Sequence, residues 1–185
     1  MHAMDAATLP RLVTRALDER LRVMPAVVVT GARQTGKSTL ALDLAPGNRR
    51  YLSLDDLDVV DTARRDPDAL VGGLQPLTLD EVQREPDLLR AVKRAIDRKR
   101  TPGRFLLTGS ANLLLMRQVS ESLAGRASYL TLWPMTRREQ SGLGRCGLWN
   151  ELLAARDDEW LDLLAAQPDT HEDWRALARR GGFPT

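Results

Sequence analysis

The stretch "VVVTGARQTGKSTL", Val27–Leu40, runs a series of β-branched residues straight into two glycines, a lysine and a serine. Gly31 to Ser38 fits G-x-x-x-x-G-K-[ST], a pattern whose glycines let backbone N–H groups converge on phosphate oxygens without Cβ interference. Lys37 then reaches the β- and γ-phosphates, and the Ser38 hydroxyl ligates Mg²⁺. The flanks fit as well. Ala26–Thr30 reads as a short buried strand, and Lys37–Leu44 as a helix that points its positive dipole end at the phosphates. The expected nucleotide-binding residues are therefore Gly31, Ala32, Arg33, Gln34, Thr35, Gly36, Lys37, Ser38 and Thr39. Arg33 has a plainer reading as a solvent-facing side chain. The loop alone does not decide between chemistry, a switch and an ordinary turn.

Outward from the loop, strand and helix patterns alternate. "LPRLVTRALDERL" (Leu9–Leu21) has helical spacing, with Thr8 placed to cap it before Pro10. "RYLSL" (Arg50–Leu54), "PLTLDEV" (Pro76–Val82), "RFLLTGS" (Arg104–Ser110) and "ASYLTLWPM" (Ala127–Met135) read as further strands. Helices are expected within Leu57–Val71, over Pro86–Arg100 and over Asn112–Leu123. Strands separated by helices predict a three-layer α/β/α fold with a five-stranded, mostly parallel sheet. Residues 1–24 form an N-terminal helical lead, 25–140 the core and 141–185 a helical appendage. Trp133, Trp149, Trp160 and Trp174 all fall in the last third, where they are expected to anchor short helices.

An acidic pair narrows the function. "LTLDEVQ" (Leu77–Gln83) ends an apolar strand in Asp80-Glu81. A carboxylate at such a strand end holds Mg²⁺ through water opposite Ser38, which assigns Asp80 and Ser38 to the metal. The adjacent Glu81 is placed to orient and deprotonate a water for in-line attack on the γ-phosphate. An ordinary exposed strand end is the competing reading of the pair. In the hydrolase branch of phosphate-loop proteins an extra strand lies between the loop strand and the Asp-Glu strand. Its tip senses the γ-phosphate or positions the water. Here "TGSAN" offers Thr108, Ser110 and Asn112, of which Ser110 is the expected residue, with helix capping as its alternative.

Composition sets outer limits. The 185 residues suit one domain with a small appendage, and 43% hydrophobic residues suffice for a core. A net charge of +2 gives little reason to expect nucleic acid, which stays open as a partner. Cys146 stands alone, so no internal disulfide exists and a reducing, cytoplasmic setting is expected. The first residues lack a secretory pattern, and no apolar run approaches the roughly 20 residues of a membrane helix. His2, His171 and Cys146 have no metal-ligand spacing.

The ordered series "LPRLV", "VTGARQTGKSTL", "YLSLDD", "LTLDEVQ", "FLLTGSAN", "SLAGRASYLTLWPMT" and "GGFPT" spans Leu9 to Thr185. It resembles the amino-terminal ATPase domain of a bacterial and archaeal family of AAA-like, STAND-related ATPases. That resemblance implies ATP and Mg²⁺ as cofactors, with Lys37, Ser38, Asp80 and Glu81 in the roles given above. It also draws in Arg126 of "LAGR", as an arginine that stabilises γ-phosphate charge in cis or from a neighbouring subunit. Family members continue past "GGFP" into an uncharacterised C-terminal domain, so this chain is expected to be either a shortened member or a stand-alone ATPase module, with contacts from that domain, from a protein partner or from a second copy. The functional expectation is a slow Mg²⁺-dependent ATP hydrolase serving as a conformational switch or motor module. The runner-up is an ATP-loaded regulatory scaffold with little hydrolysis. A small-molecule kinase is disfavoured because no arginine-bearing lid is evident, and a GTPase because N-K-x-D is missing.

Overall fold

Six consecutive buried residues, Ala26–Gly31, form the central strand β1. The computed structural model describes residues 8–45, 47–110, 122–144, 147–166 and 173–183. Around β1 the chain sets β2 (Arg50–Ser53), β3 (Leu77–Asp80), β4 (Phe105–Ser110) and β5 (Ala127–Thr131) in the order β2-β3-β4-β1-β5. All four pairings are parallel. As expected, β4 separates the loop strand β1 from β3, which carries the acidic pair.

Strand periodicity of two sends neighbouring side chains to opposite faces. Val28 joins Leu79, Leu107, Val92 and Ile96 on one side of the sheet, while Val27 and Val29 join Leu17, Leu21, Leu40 and Leu106 on the other. The first side is closed by α5 (Leu88–Arg98), which buries Leu88, Leu89, Val92, Ala95 and Ile96. The second is closed by α1 (Val13–Leu21) and by α2 (Lys37–Thr39) with the π-helical turn Leu40–Leu44 that continues it. Two helices of nine and four residues, α3 (Leu57–Arg65) and α4 (Pro67–Leu70), fill the β2–β3 connection. The result is a three-layer α/β/α fold. Each fully buried leucine, Leu17 among them, stabilises it by about 1.5–3 kcal/mol.

Two compact units divide the chain, Val13–Pro134 and the combination of Met1–Leu12 with Met135–Thr185. The division falls after Pro134 rather than at 140, and α1 belongs to the sheet unit because Leu17 and Leu21 are core residues. Helix α1 also starts later than Thr8 and Pro10 predict. The amide of Leu12 and the guanidinium of Arg11 are committed to Glu139 instead, at 2.7 and 3.0 Å. The helix expected over Asn112–Leu123 lies outside the described residues except for its last two, Ser122 and Leu123.

In the second unit α6 (Arg137–Gln140) opens on a reciprocal cap, with Glu139 N donating to Thr136 Oγ1 and Thr136 N donating to Glu139 Oε2. Burial alone would push the Glu139 carboxyl up. The Thr136 and Leu12 amides and the Arg11 guanidinium outweigh it and hold the group below the ordinary glutamate value. A depressed folded value means that the stabilisation is present above the ordinary carboxylate range and is lost as pH falls through the folded value. Glu139→Gln is expected to lower stability by about 1.5–3 kcal/mol at neutral pH, and by less in acid. Melting curves at neutral and acid pH check this, and an equal loss at both would refute it.

Further α-helices among the described residues are α7 (Leu148–Ala154), α8 (Trp160–Ala165) and α9 (Trp174–Arg180). The tryptophans do not anchor them. Trp149 is 78%, Trp160 42%, Trp174 69% and Trp133 73% exposed. These helices are too short to enclose a core of their own, and Leu152 is the only buried side chain described on α7.

Candidate functional site

The loop geometry begins where β1 stops. A Cβ on Gly31 would run into the backbone carbonyl of Leu132 and stand 3.1 Å from Thr35 Oγ1, so glycine is required by space rather than by turn preference. Two left-handed residues follow, Gln34 with φ 63° and Gly36 with φ 85°. Alternation of this kind shapes successive N–H groups into a concave anion nest, and Gly36 caps α2 directly behind it. Thr35 is buried and donates to Ala32 O at 2.9 Å. Lys37 is also buried, and its ammonium donates to Ala32 O at 2.9 Å and Gly31 O at 3.3 Å. Arg33, Gln34 and Thr39 are exposed, and Ser38 is half-buried.

Asp80, at the end of β3, is 3% exposed and fully engaged. Its Oδ2 accepts from the Tyr51 phenol at 2.6 Å, and its Oδ1 accepts from the Thr108 hydroxyl and from the Glu81 amide at 3.1 Å. Burial, reinforced by the bond to Asp80 and by its charge, raises the Tyr51 pKa and keeps the phenol protonated. The Ser38 hydroxyl acts on the same phenol in the opposite sense, lowering its pKa, so Tyr51 feels both residues assigned to the metal.

Glu81 adopts φ 57°, ψ 44°, a left-handed conformation that costs a non-glycine residue about 1–2 kcal/mol. Gln83 grips it: the Gln83 amide donates to Glu81 Oε2, while Gln83 Oε1 accepts from Ser110 N at 3.3 Å. In parallel register Ser110 sits beside Gly31, at the mouth of the loop. A cavity of about 310 Å³ opens here, lined by Arg33, Asp55, Glu81, Gln83, Arg84 and Ser110. Three predicted residues, Arg33, Glu81 and Ser110, therefore meet in one space.

Arg126 does not join them. Its carbonyl accepts from Ala26 N at the opening of β1, and its guanidinium is bound to Asp97 at 2.5 Å and to Ala124 O at 3.0 Å. In a parallel sheet the residue before β5 lies at the amino ends, whereas the loop lies at the carboxyl ends, about 16 Å away along β1. A contact of Arg126 with the phosphate loop of its own chain is excluded. At the tip of β4 it is Thr108, not Ser110, that touches Asp80, and Asn112 lies outside the described residues. Sequence reasoning assigns no role to Tyr51, Asp55, Gln83 or Arg84, although Asp55 falls in the acidic pair Asp55-Asp56 after the Arg50–Leu54 strand. The only available signal is their position beside acidic strand ends, in "YLSLDD" and "DEVQR".

A nest ahead of a buried lysine, with an Asp-Glu pair two strands away, defines a phosphate-loop nucleotide-binding module of the ATPase type. Residues 24–141 match the family model described as "AAA domain", and the chain belongs to that family. Uncharacterized proteins of Mycobacterium bovis and Mycobacterium tuberculosis are each 38% identical to it over 146 residues, covering 78% of this chain and 31% of the relative. The chain thus spans about a third of the length of those relatives. Among solved structures, a single-substitution variant of RuvB from Thermotoga maritima aligns with TM-score 0.44 and 24% identity over 71% of this chain and 45% of its own. A DNA polymerase III gamma subunit-related protein of the same organism gives TM-score 0.43 and 10% identity over 82% and 57%.

Proposed function

We propose that the chain is a Mg²⁺-dependent ATP-hydrolysing module that works as a conformational switch or motor element. The observation that carries this reading is the cavity in which Glu81 and Ser110 face the mouth of the phosphate loop. The nest and Lys37 bind the β- and γ-phosphates, the ammonium exchanging the Gly31 and Ala32 carbonyls for phosphate oxygens. Ser110 orients a water against the γ-phosphorus, and Glu81 takes its proton as the new P–O bond forms. The bond to the β,γ-bridging oxygen then breaks and leaves ADP. Among the described residues no cluster of three or more His, Cys, Asp or Glu side chains stands close enough to cage a cation. Ser38 and Asp80 are oxygen donors that suit an ion drawing its other ligands from phosphate and water. Bound there, Mg²⁺ would neutralise charge on the β- and γ-oxygens.

An ATP-loaded scaffold with slow turnover is favoured by one detail, the Gln83 amide already bonded to the Glu81 carboxylate. We place the module in the cytoplasm. Its partners are ATP and a protein surface, supplied by a second copy or by the further length seen in the relatives. No described helix is long and apolar enough to cross a membrane. The decisive experiment follows phosphate release from ATP by the 185-residue chain with Mg²⁺ and with chelator. Release only with Mg²⁺ is expected, and a chain that binds no nucleotide under either condition refutes the proposal.

A further inference from the structure

Beyond Lys37 and the metal, the site as described so far has no arginine to meet the charge that gathers on the γ-phosphate. Lys37 serves the loop, and Arg126 is held at the opposite end of the sheet. The cavity itself holds two carboxylates, Asp55 and Glu81, and two guanidinium groups, Arg33 and Arg84. Arg33 belongs to the loop. Arg84 belongs to the same tight turn as Glu81, since its amide donates to Glu81 O at 3.0 Å, so the two side chains are positioned by one piece of backbone. Its guanidinium forms an ion pair with Asp55, at the end of the β2 segment, and both partners are more than half exposed, 58% and 56%. Exposed pairs of this kind are weak. A phosphate with two negative charges and several oxygens in one place is the stronger partner for a planar guanidinium.

We propose that Arg84 reads the γ-phosphate in cis: it leaves Asp55 for phosphate oxygens when ATP is bound, and returns to Asp55 when only ADP remains. Asp55 is then the resting partner that holds the arginine at the rim of the cavity and ready. This inference rests on the ATP reading above and adds to it a residue that distinguishes the two nucleotides.

The test measures affinities of the full chain for ADP and for a non-hydrolysable ATP analogue, by displacement of a fluorescent nucleotide. Arg84→Ala is expected to weaken the ATP analogue roughly tenfold while ADP stays within about twofold. Arg84→Lys keeps the charge but not the fork, and should fall between the two. Asp55→Asn frees Arg84 and should raise the preference for the ATP analogue over ADP. Both positions are exposed, so circular dichroism of each variant should match the parent. Equal weakening of both nucleotides by Arg84→Ala, or no change in either, overturns the assignment. Failure of the parent chain to bind either nucleotide would sink the ATP reading itself, a distinct outcome.

Discussion

Glu81→Gln is expected to keep ATP bound while slowing phosphate release by about 10²–10⁴-fold, the range in which a positioned general base contributes. Glutamine preserves the shape of the side chain and can still meet Gln83, but it cannot take a proton from water. The strained left-handed backbone at this position is set by the turn and is as accessible to glutamine as to glutamate. Nucleotide affinity and turnover should therefore separate. Single-turnover hydrolysis with equilibrium binding on the same preparation measures both. Turnover equal to that of the parent would show that the proton goes elsewhere, and the roles of Ser110 and Gln83 would have to be reassigned with it.

Lys37→Ala is expected to act earlier, on binding. It deletes a buried ammonium, and charge-assisted bonds to phosphate contribute about 1.5–3 kcal/mol apiece. Loss of one such bond weakens ATP by at least roughly tenfold, and loss of the charge in the transition state slows any residual hydrolysis by about 10²–10³-fold more. The truncation also leaves the Gly31 and Ala32 carbonyls without their donor, so part of the effect is disorder in the loop itself. Calorimetric titration with Mg²⁺-ATP, beside a thermal melt of the variant, separates the two contributions. A variant that binds ATP like the parent would remove the phosphate loop from the mechanism.

The features legible in the sequence are those encoded locally. A strand, a glycine pattern and a helix are adjacent in "VVVTGARQTGKSTL", and alternating periodicities set out all five strands. The Asp80-Glu81 pair needs only its own apolar strand to be recognised. What escapes depends on which strands lie side by side. Tyr51 and Thr108 meet on Asp80 because β2 and β4 flank β3, a fact of sheet order that no spacing along the chain states. Resemblance alone draws Arg126 to the site, although an arginine that precedes a parallel strand belongs at the wrong end of the sheet. The tryptophans mislead for another reason. Large apolar side chains ordinarily signal a core, and here three of the four lie on helices too short to make one, while Trp133 follows β5.

Those tryptophans give the molecule a built-in optical label. The sheet unit contains one, Trp133, and the other three belong to the second unit. Trp133 follows Leu132, whose amide donates to Thr30 O at 2.6 Å and whose carbonyl bars a side chain from Gly31. With Trp149, Trp160 and Trp174 changed to phenylalanine, the emission left over comes from a single indole joined to the root of the phosphate loop. A change in that emission on adding Mg²⁺-ATP is the expected sign of nucleotide at the loop, followed in real time without attaching a dye.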